Sequence, residues 1–369
     1  MSNKGFGYNG RIRVLIQLAK TGFLPEFKYL PRYLSFYLAA FMLAPLKLFE
    51  RLMVNKRISR HRMKEDPVFI IGHMRSGTTH LHNLLSKDPS FSFPTTFQTH
   101  SPEFYMYGKP FVAPFFELFV PEKRPMDNMT VSLDLPQEEE FAVAAMCPHS
   151  FYFHMLFPKK ANYFFERNVL DRDPELPHLK EWEKNYDHVI RKFSLTGNSR
   201  RLVLKNPVNT ARSGLLLTMY PKASFIFIHR DPYEVFLSTR NLYRKVLPLC
   251  QLQNIAWEDI DQMILRNYVA LLKRYFEDRK SIPDHQLIEI SYKELETHPL
   301  ETLEKIYTQL GFKHYNDAME HFTHYLYSQK DYEKNSFHLE ESDIILVNQY
   351  CEEIFNKLGY SMIDQKQRK

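Results

Sequence analysis

The sequence predicts an α/β protein with a P-loop-like three-layer fold, in which helices flank a central parallel sheet and a helical arm precedes the domain. Strand-like runs occur at 68–71, 202–204 and 224–228, and each precedes a segment with helical character. A glycine-bounded loop joins the first run to its helix, which is typical of folds that hold phosphate at a strand end. With 369 residues, 44% of them hydrophobic, the chain can bury a sizeable core.

The N-terminal arm is predicted to cover residues 1–62, ahead of a catalytic domain at 63–369. Residues 33–46 carry no charge, and basic residues flank them on both sides. This run is too short to cross a bilayer alone, and Pro45 interrupts it. The arm is therefore expected to contact a membrane interface through residues 33–48, to cover the mouth of the site, or to pack on the domain. Because no secretory signal is evident, we expect a cytoplasmic protein, peripherally membrane-associated if the arm binds lipid.

The loop at 72–79 is the first candidate site. Gly72 and Gly77 enclose four residues, and Thr78 then begins a predicted helix. Backbone N–H groups of such a loop and the positive end of the helix dipole face an anion. The motif is not a Walker A sequence, because Thr78 stands where the phosphate-binding lysine belongs and the cation, Arg75, lies inside the loop. The loop suits a phosphate group without a metal; the alternative is an ordinary glycine-containing turn.

The remaining elements follow in chain order. Residues 91–128 are rich in Phe, Pro and Tyr, and short helices and loops without strands are expected there. Pro136 is expected in a first helical turn, with the acidic residues after it favoured by the helix dipole. A long helix at 254–278 and a last buried strand at 286–290 come next. Further helices are expected at 299–312 and at about 340–358.

A second candidate anion site follows the run at 224–228. There Arg230 precedes Asp231 and Pro232, and Pro232 suits the first turn of a helix that carries Ser238. Arg230 at the strand end and Ser238 two turns into the helix could face one anion. The alternative is a structural ion pair between Arg230 and Asp231 or Glu234.

Together these two stretches resemble the sulfotransferase superfamily that uses 3′-phosphoadenosine 5′-phosphosulfate. The resemblance is closest to bacterial members with a Pro-x-Glu-x-Glu segment between the two motifs, and it covers roughly residues 65–360. It implies that Arg230 and Ser238 bind the 3′-phosphate. It also implies that 328–340 covers the cofactor, where Lys330, Lys334 or Asn335 approaches the nucleotide; the alternative is a charged surface loop. It also implies a 5′-phosphosulfate loop formed by Arg75, Ser76, Gly77, Thr78 and Thr79.

The candidates for the general base are Glu138, Glu140 and His73. On one helix the two glutamates would differ by about 200°, so they could not both face one site. A solvated acidic helix start is the alternative at these positions. The resemblance implies that one glutamate deprotonates an acceptor hydroxyl, and which one stays open. His73 is either a base, a partner that orients a glutamate, or a structural histidine.

Lys205 ends the run at 202–204 and is expected to point into the crevice at the carboxyl ends of the strands. It resembles the sulfotransferase lysine that steadies the transferring sulfonate. Relatives often have Ser and His downstream where this chain has Asn206 and Asn209. Asn209 cannot serve as a base, and this departure leaves the glutamates or His73.

We therefore expect a sulfotransferase acting on the hydroxyl of a hydrophobic acceptor, a sterol or steroid or a lipid alcohol. The apolar segment with Phe111, Phe115, Phe116 and Phe119 favours such an acceptor over a glycan. The alternatives are a carbohydrate or lipid-headgroup sulfotransferase, a P-loop kinase and a non-catalytic nucleotide-binding module. The oligomeric state stays open.

Charge and cysteine content restrict the partners. The net charge of +6 suits a polyanionic cofactor or an acidic membrane surface, and no nucleic-acid-binding motif or nucleic-acid partner is expected. Three widely separated cysteines indicate neither a disulfide framework nor a zinc site, and no metal is expected.

Overall fold

The computed structural model describes residues 10–118, 122–330 and 332–364, and it confirms an α/β fold around one parallel sheet. The spatial order of the strands is β2-β3-β1-β4-β5, and each pairing between them is parallel. The carboxyl ends of the strands therefore meet at one edge. The strands are β1 (Val68–Ile71), β2 (Phe91–Ser92), β3 (Arg201–Lys205), β4 (Ser224–His229) and β5 (Leu287–Ser291).

Helices before, between and after the strands build the outer layers. Within the described ranges they are α1 (Ile12–Lys20), α2 (Leu30–Met42), α3 (Ala44–Arg60), α4 (Thr78–Leu85), α5 (Thr96–His100), α6 (Tyr105–Glu117), α7 (Glu140–Met146), α8 (Phe153–Leu156), α9 (Ala161–Phe165), α10 (Pro177–Thr196), α11 (Ser213–Met219), α12 (Pro232–Cys250), α13 (Trp257–Asp278), α14 (Tyr292–Thr297), α15 (Pro299–Gln309), α16 (Tyr315–Ser328) and α17 (Glu341–Leu358).

The central strand β1 separates two apolar layers. Phe69 and Ile71 belong to one hydrophobic cluster, whereas Val68 and Ile70 belong to the other. Alternate side chains of a strand point to opposite faces, so both faces of the sheet are buried under helices. This arrangement is the predicted three-layer fold.

The register of the sheet sets the position of the site. Ile70 of β1 pairs with Lys205 of β3 on one side and with Ile226 of β4 on the other. The loop after β1 therefore leaves the sheet beside Lys205. On the far side of β4, His229 pairs with Ser291, so the segments after both strands emerge at the same edge.

Two local predictions are wrong. Phe91–Ser92 forms a short edge strand against Arg201 and Leu202, and two residues are too few to produce a recognisable pattern. The helix expected at Pro136 begins instead at Glu140. Pro136 forms an antiparallel bridge with Thr95, because the chain before α7 pairs with the segment that leads into α5.

The arm packs one side of its helices on the domain. Val54 and Ile58 of α3 are buried, and the buried Glu50 forms an ion pair with Lys192 of α10. Within the described residues, no helix is both long and apolar enough to cross a bilayer. Residues 1–9 of the predicted arm and Phe119 of the predicted acceptor segment lie outside the described residues.

Candidate active site

The loop after β1 is tightly enclosed. Gly72 and Gly77 have positive φ values of +140° and +101°. A Cβ atom on Gly72 would lie 2.2 Å from the carbonyl oxygen of Ile228, and one on Gly77 would lie 2.3 Å from the ring of Tyr292. Both the backbone conformation and the close packing therefore require glycine at these two positions.

Hydrogen bonds from side chains inside and outside the loop fix its conformation. The N–H group of Gly72 donates to Thr210 Oγ1 at 2.7 Å. The Ser76 hydroxyl donates to the carbonyl oxygens of His73 at 2.7 Å and Ile228 at 3.0 Å. The Ser76 side chain thus shapes the loop and anchors it to the end of β4.

The loop ends at the N-terminus of α4. Gly77 occupies the cap position in a left-handed conformation and offers no side-chain cap. The first N–H groups of a helix lack intrahelical partners, so an anion next to Thr78 and Thr79 would satisfy them. At this helix start Thr78 is buried and Thr79 is half-buried.

Arg75 and Ser238, predicted from different motifs, lie together. Arg75 has a φ of +72°, and its Nε donates to Ser238 Oγ on α12 at 2.9 Å. Its Nη1 donates to the carboxylate of Asp127 at 2.6 Å. The structure therefore joins the loop, α12 and the segment before α7 at one guanidinium.

Asp127 is the hub of this region. Its buried carboxylate also contacts Arg124 at 3.3 Å, and its carbonyl accepts from the Tyr332 hydroxyl at 2.8 Å. Asn335 Nδ2 donates to the neighbouring carbonyl of Met126 at 2.8 Å, which brings the predicted covering segment to the loop. Sequence reasoning assigned no role to Asp127, because a lone carboxylate in a loop carries no recognisable pattern.

Tyr292 lies in the second candidate anion site and contacts several of its residues. Its ring packs against Gly77, the guanidinium of Arg230 lies 4.6 Å from its centre, and Lys334 Nζ lies 5.7 Å from it. Arg230 forms an ion pair with Glu234, as in the alternative interpretation, and Ser238 bonds Arg75 rather than Arg230. Tyr292 was not predicted as a site residue, since its only signal is its place directly after β5.

Lys205 and Glu138 meet at the carboxyl end of β3. The two side chains form an ion pair in which the lysine is buried and the glutamate is partly exposed. Burial lowers the pKa of Lys205, and the adjacent Glu138 opposes that shift. Glu138 precedes α7, so it does not share a helix with Glu140 and the angular argument against their convergence does not apply.

Glu140 is fully buried, and its polar contacts connect α7 to other segments of the domain. Its carboxylate accepts from Ser150 Oγ at 2.7 Å, Asn206 Nδ2 at 2.8 Å and Arg212 Nη1 at 3.1 Å. The Arg212 guanidinium in turn lies 4.4 Å from the centre of the Trp182 ring. These contacts tie α7 to the segment that follows β3.

Glu139 lies in a different buried environment. Its Oε1 accepts from the Tyr186 hydroxyl and from Asn209 Nδ2, each at 2.8 Å, whereas its buried Oε2 has no hydrogen-bond partner within the described residues. Burial raises the pKa of Glu139 to about 7. Sequence reasoning overlooked this residue, although it lies inside the acidic motif.

His73 belongs to the loop, and its side chain is buried. Its Nδ1–H group donates to the Met74 carbonyl at 2.7 Å, and its ring lies edge-on to Tyr268. Burial lowers the pKa of His73 to about 4, so the ring is neutral at physiological pH. It lines an internal cavity of about 20 Å³ that also contacts Val208 and Thr239.

The cations at this edge have carboxylate partners within the described residues. The pairs are Lys205 with Glu138, Arg75 with Asp127, Arg230 with Glu234, and Lys334 with Glu296.

The chain is similar to known sulfotransferases over most of its length. The model of the sulfotransferase family matches residues 67–317. Two curated relatives, the omega-hydroxy-beta-dihydromenaquinone-9 sulfotransferases Stf3 of Mycobacterium bovis and Mycobacterium tuberculosis, are each 30% identical over 316 residues, which is 85% of this chain and 80% of theirs.

Two solved structures share the fold. Sulfotransferase STF9 from Mycobacterium avium has a TM-score of 0.70 and 16% identity, over 86% of this chain and 82% of that one. Sulfotransferase STF1 from Mycobacterium tuberculosis has a TM-score of 0.65 and 18% identity, over 93% of this chain and 90% of that one.

Proposed function

Since this chain belongs to the sulfotransferase family and is a sulfotransferase, we propose that it moves the sulfonate of 3′-phosphoadenosine 5′-phosphosulfate to the hydroxyl of a lipid alcohol. The observation that carries the proposal is the convergence of the enclosed loop and the Lys205–Glu138 pair at one edge of the sheet. This edge offers an anion cradle and a base side by side.

The residues present fit the donor at both of its anionic ends. The loop between Gly72 and Gly77, with the N-terminus of α4, forms a cradle that a Cβ would fill, and this suits the phosphosulfate. Arg230 and Lys334 on the Tyr292 ring suit the 3′-phosphate. When bound, the donor supplies an activated sulfonate for in-line transfer.

Glu138 is the proposed base. It takes the proton of the acceptor hydroxyl as the new O–S bond forms and the bond from sulfur to the phosphate oxygen breaks. Lys205 forms an ion pair with Glu138 and donates to the negative charge that develops on the leaving phosphate. Glu140 and His73, both enclosed, act as positioning residues in this scheme.

Two observations support a lipid alcohol as the acceptor: the substrate named for the relatives, and the apolar segment before the site. The curated relatives are named for a hydroxylated menaquinone, a lipid with an alcohol group. In this chain α6 exposes Phe111 and Phe115 shortly before the segment that reaches Asp127. We therefore place long-chain lipid alcohols first, with sterols and steroids as the second members of the same class.

A single substitution tests the assignment of the base. Glu138→Gln is expected to lower kcat by about 10²–10⁴-fold, because the amide cannot accept the proton. Affinity for adenosine 3′,5′-bisphosphate, measured by calorimetry without magnesium, should change little. Rates are followed as labelled sulfonate transferred to a panel containing a polyprenyl alcohol, a sterol and a disaccharide.

The control for this experiment is Glu352→Gln, which alters an exposed carboxylate on α17. It should match the parent in rate and affinity. Retention of full turnover by Glu138→Gln would remove this residue as the base. Preference for the disaccharide would overturn the lipid-acceptor assignment while leaving the donor site intact.

A further inference from the structure

Three helices expose apolar side chains on the side that they do not pack against the domain. The exposed apolar residues of α2, α3 and α6 are called the apolar face. On α2, Leu34, Leu38 and Phe41 recur at helical spacing and are exposed, while Tyr33 and Phe36 are buried on the domain side. The helix is thus apolar on both of its sides, unlike an ordinary surface helix.

The second and third helices repeat this pattern. Leu48 and Leu52 of α3 are exposed, the latter by 73%, and Phe111 and Phe115 of α6 are exposed by 79% and 60%. Leaving such large apolar side chains in water is unfavourable. A contiguous patch of this kind indicates a binding surface.

The stripes of α3 and α6 lie side by side. The rings of Phe49 and Tyr107 meet edge-on with centroids 5.6 Å apart. The Tyr107 N–H group donates to Glu50 Oε2 at 2.8 Å, and a Cβ on Gly108 would lie 2.7 Å from Leu46 Cδ2. The two helices therefore present one surface, and α2 adjoins it because only Leu43 separates α2 from α3.

The exposed charges of α2 and α3 beside the apolar face are basic, whereas α6 ends in one exposed acid, Glu117. Arg51, Lys56, Arg57 and Arg60 of α3 are exposed. Helix α2 contains no acidic residue, and the single acid of α3, Glu50, is buried against Lys192. An apolar face with a basic border complements a layer of anionic headgroups above acyl chains.

We propose that the apolar face docks on an anionic lipid bilayer and that the acceptor reaches the site from this membrane. Delivery of the acceptor from the membrane rests on the proposed function, whereas docking itself does not require turnover. A two-fold dimer through the same face would bring two basic borders together, and the exposed acid of α6, Glu117, would face four exposed cations of α3.

The test uses the full chain and sedimentation with vesicles. We expect it to sediment with an equimolar mixture of phosphatidylcholine and phosphatidylglycerol, and at least about tenfold less with phosphatidylcholine alone or at high salt. The variant Leu52→Glu/Phe111→Glu should lose at least about tenfold in partitioning. Its melting temperature and its affinity for adenosine 3′,5′-bisphosphate should stay at the parent values.

The matched control is Met319→Glu, which introduces the same charge at an exposed apolar residue of α16, away from the apolar face. It should bind vesicles like the parent. Equal sedimentation of parent and double variant overturns the docking proposal. The proposal is also overturned if the parent does not bind vesicles and light scattering shows it to be a dimer, while the double variant is a monomer.

The two proposals fail separately. Turnover of a detergent-dispersed acceptor without vesicle binding removes the docking surface and leaves the proposed function. Vesicle binding without turnover of any hydroxyl acceptor removes the proposed function and leaves the docking surface.

Discussion

Glu139 lies in the same acidic run as Glu138 and Glu140, but its environment differs from both. Glu138 is paired with Lys205 and Glu140 with Arg212, whereas Glu139 accepts from two neutral groups and keeps one buried oxygen without a partner within the described residues. Burial therefore favours its protonated form and raises its pKa from 4.5 to about 7. Three adjacent carboxyl groups thus have three different environments.

This difference predicts a pH dependence of stability. Between pH 4.5 and about 7 the folded protein retains the Glu139 proton that the unfolded chain has released, so the contribution of Glu139 to stability falls as pH rises through this window, whereas buried histidines such as His73 contribute in the opposite direction. The loss reaches on the order of 3 kcal/mol. Glu139→Gln, which imitates the protonated form, should remove this contribution, so the melting temperature of the variant relative to the parent should rise between about pH 5 and pH 8.

The measurement is thermal unfolding by circular dichroism across this range, with the exposed Glu352→Gln as the control that keeps the parental slope. A Glu139→Gln slope equal to that of the parent would mean that another group carries the dependence.

At the residue scale, the sequence could indicate site residues within local motifs but not their partners. The glycine spacing of the loop identifies Gly72 and Gly77, because their conformational requirement is local. The contact between Arg75 and Ser238 spans 163 positions, so it depends on tertiary packing. The roles assigned to these residues stay predictions until donor binding is measured.

The loop and α4 form one element whose shape depends on Gly77. Gly77→Ala would force a side chain into the left-handed region and against the Tyr292 ring, which lies 2.3 Å from the new Cβ. We expect a loss of about 1–3 kcal/mol in unfolding free energy. Affinity for adenosine 3′,5′-bisphosphate in calorimetry should fall about tenfold or more, because the amides no longer converge.

Gly311→Ala separates the two effects. Gly311 also has a positive φ, +63°, but no atom lies within 4 Å of its added Cβ. This control should lose stability through backbone strain while keeping the parental affinity. Parental affinity in Gly77→Ala as well would mean that the loop does not bind the nucleotide.

At the element scale, long periodic segments were predictable and competing local pairings were not. The runs at 202–204 and 224–228 became β3 and β4 with one-residue extensions, because buried parallel strands consist of continuous apolar residues. The start of α7 was misplaced, since Pro136 suits a helical turn and an extended bridge equally well. Only the tertiary partner, Thr95, decides between them.

At the scale of the whole molecule, Glu50 connects the arm to the domain. Its carboxylate accepts from Lys192 of α10 and from the Tyr107 N–H group of α6. Glu50→Ala would leave the Lys192 ammonium buried without its counter-charge, and burial already lowers the pKa of Lys192. We expect the free energy of unfolding to decrease by about 3–5 kcal/mol. In calorimetry this should appear as a lower temperature of the main unfolding transition.

Glu352→Ala, an exposed carboxylate, is the control and should leave the transition in place. Two separated transitions in Glu50→Ala, with the larger one unmoved, would show that the arm unfolds on its own. That outcome would support the predicted division at residue 62, which otherwise stays a prediction.

The carboxylate partners of the site cations have a consequence for which molecules can compete there. Lys205, Arg75, Arg230 and Lys334 each contact an acidic side chain, so the donor bound as proposed would compete with a resident counter-charge at each cation. A small anion such as inorganic phosphate displaces one partner and gains little. A nucleotide charged at both ends, as in the proposed donor, would compete with several of them at once. The pairing therefore favours polyvalent ligands over the abundant simple anions of a cell.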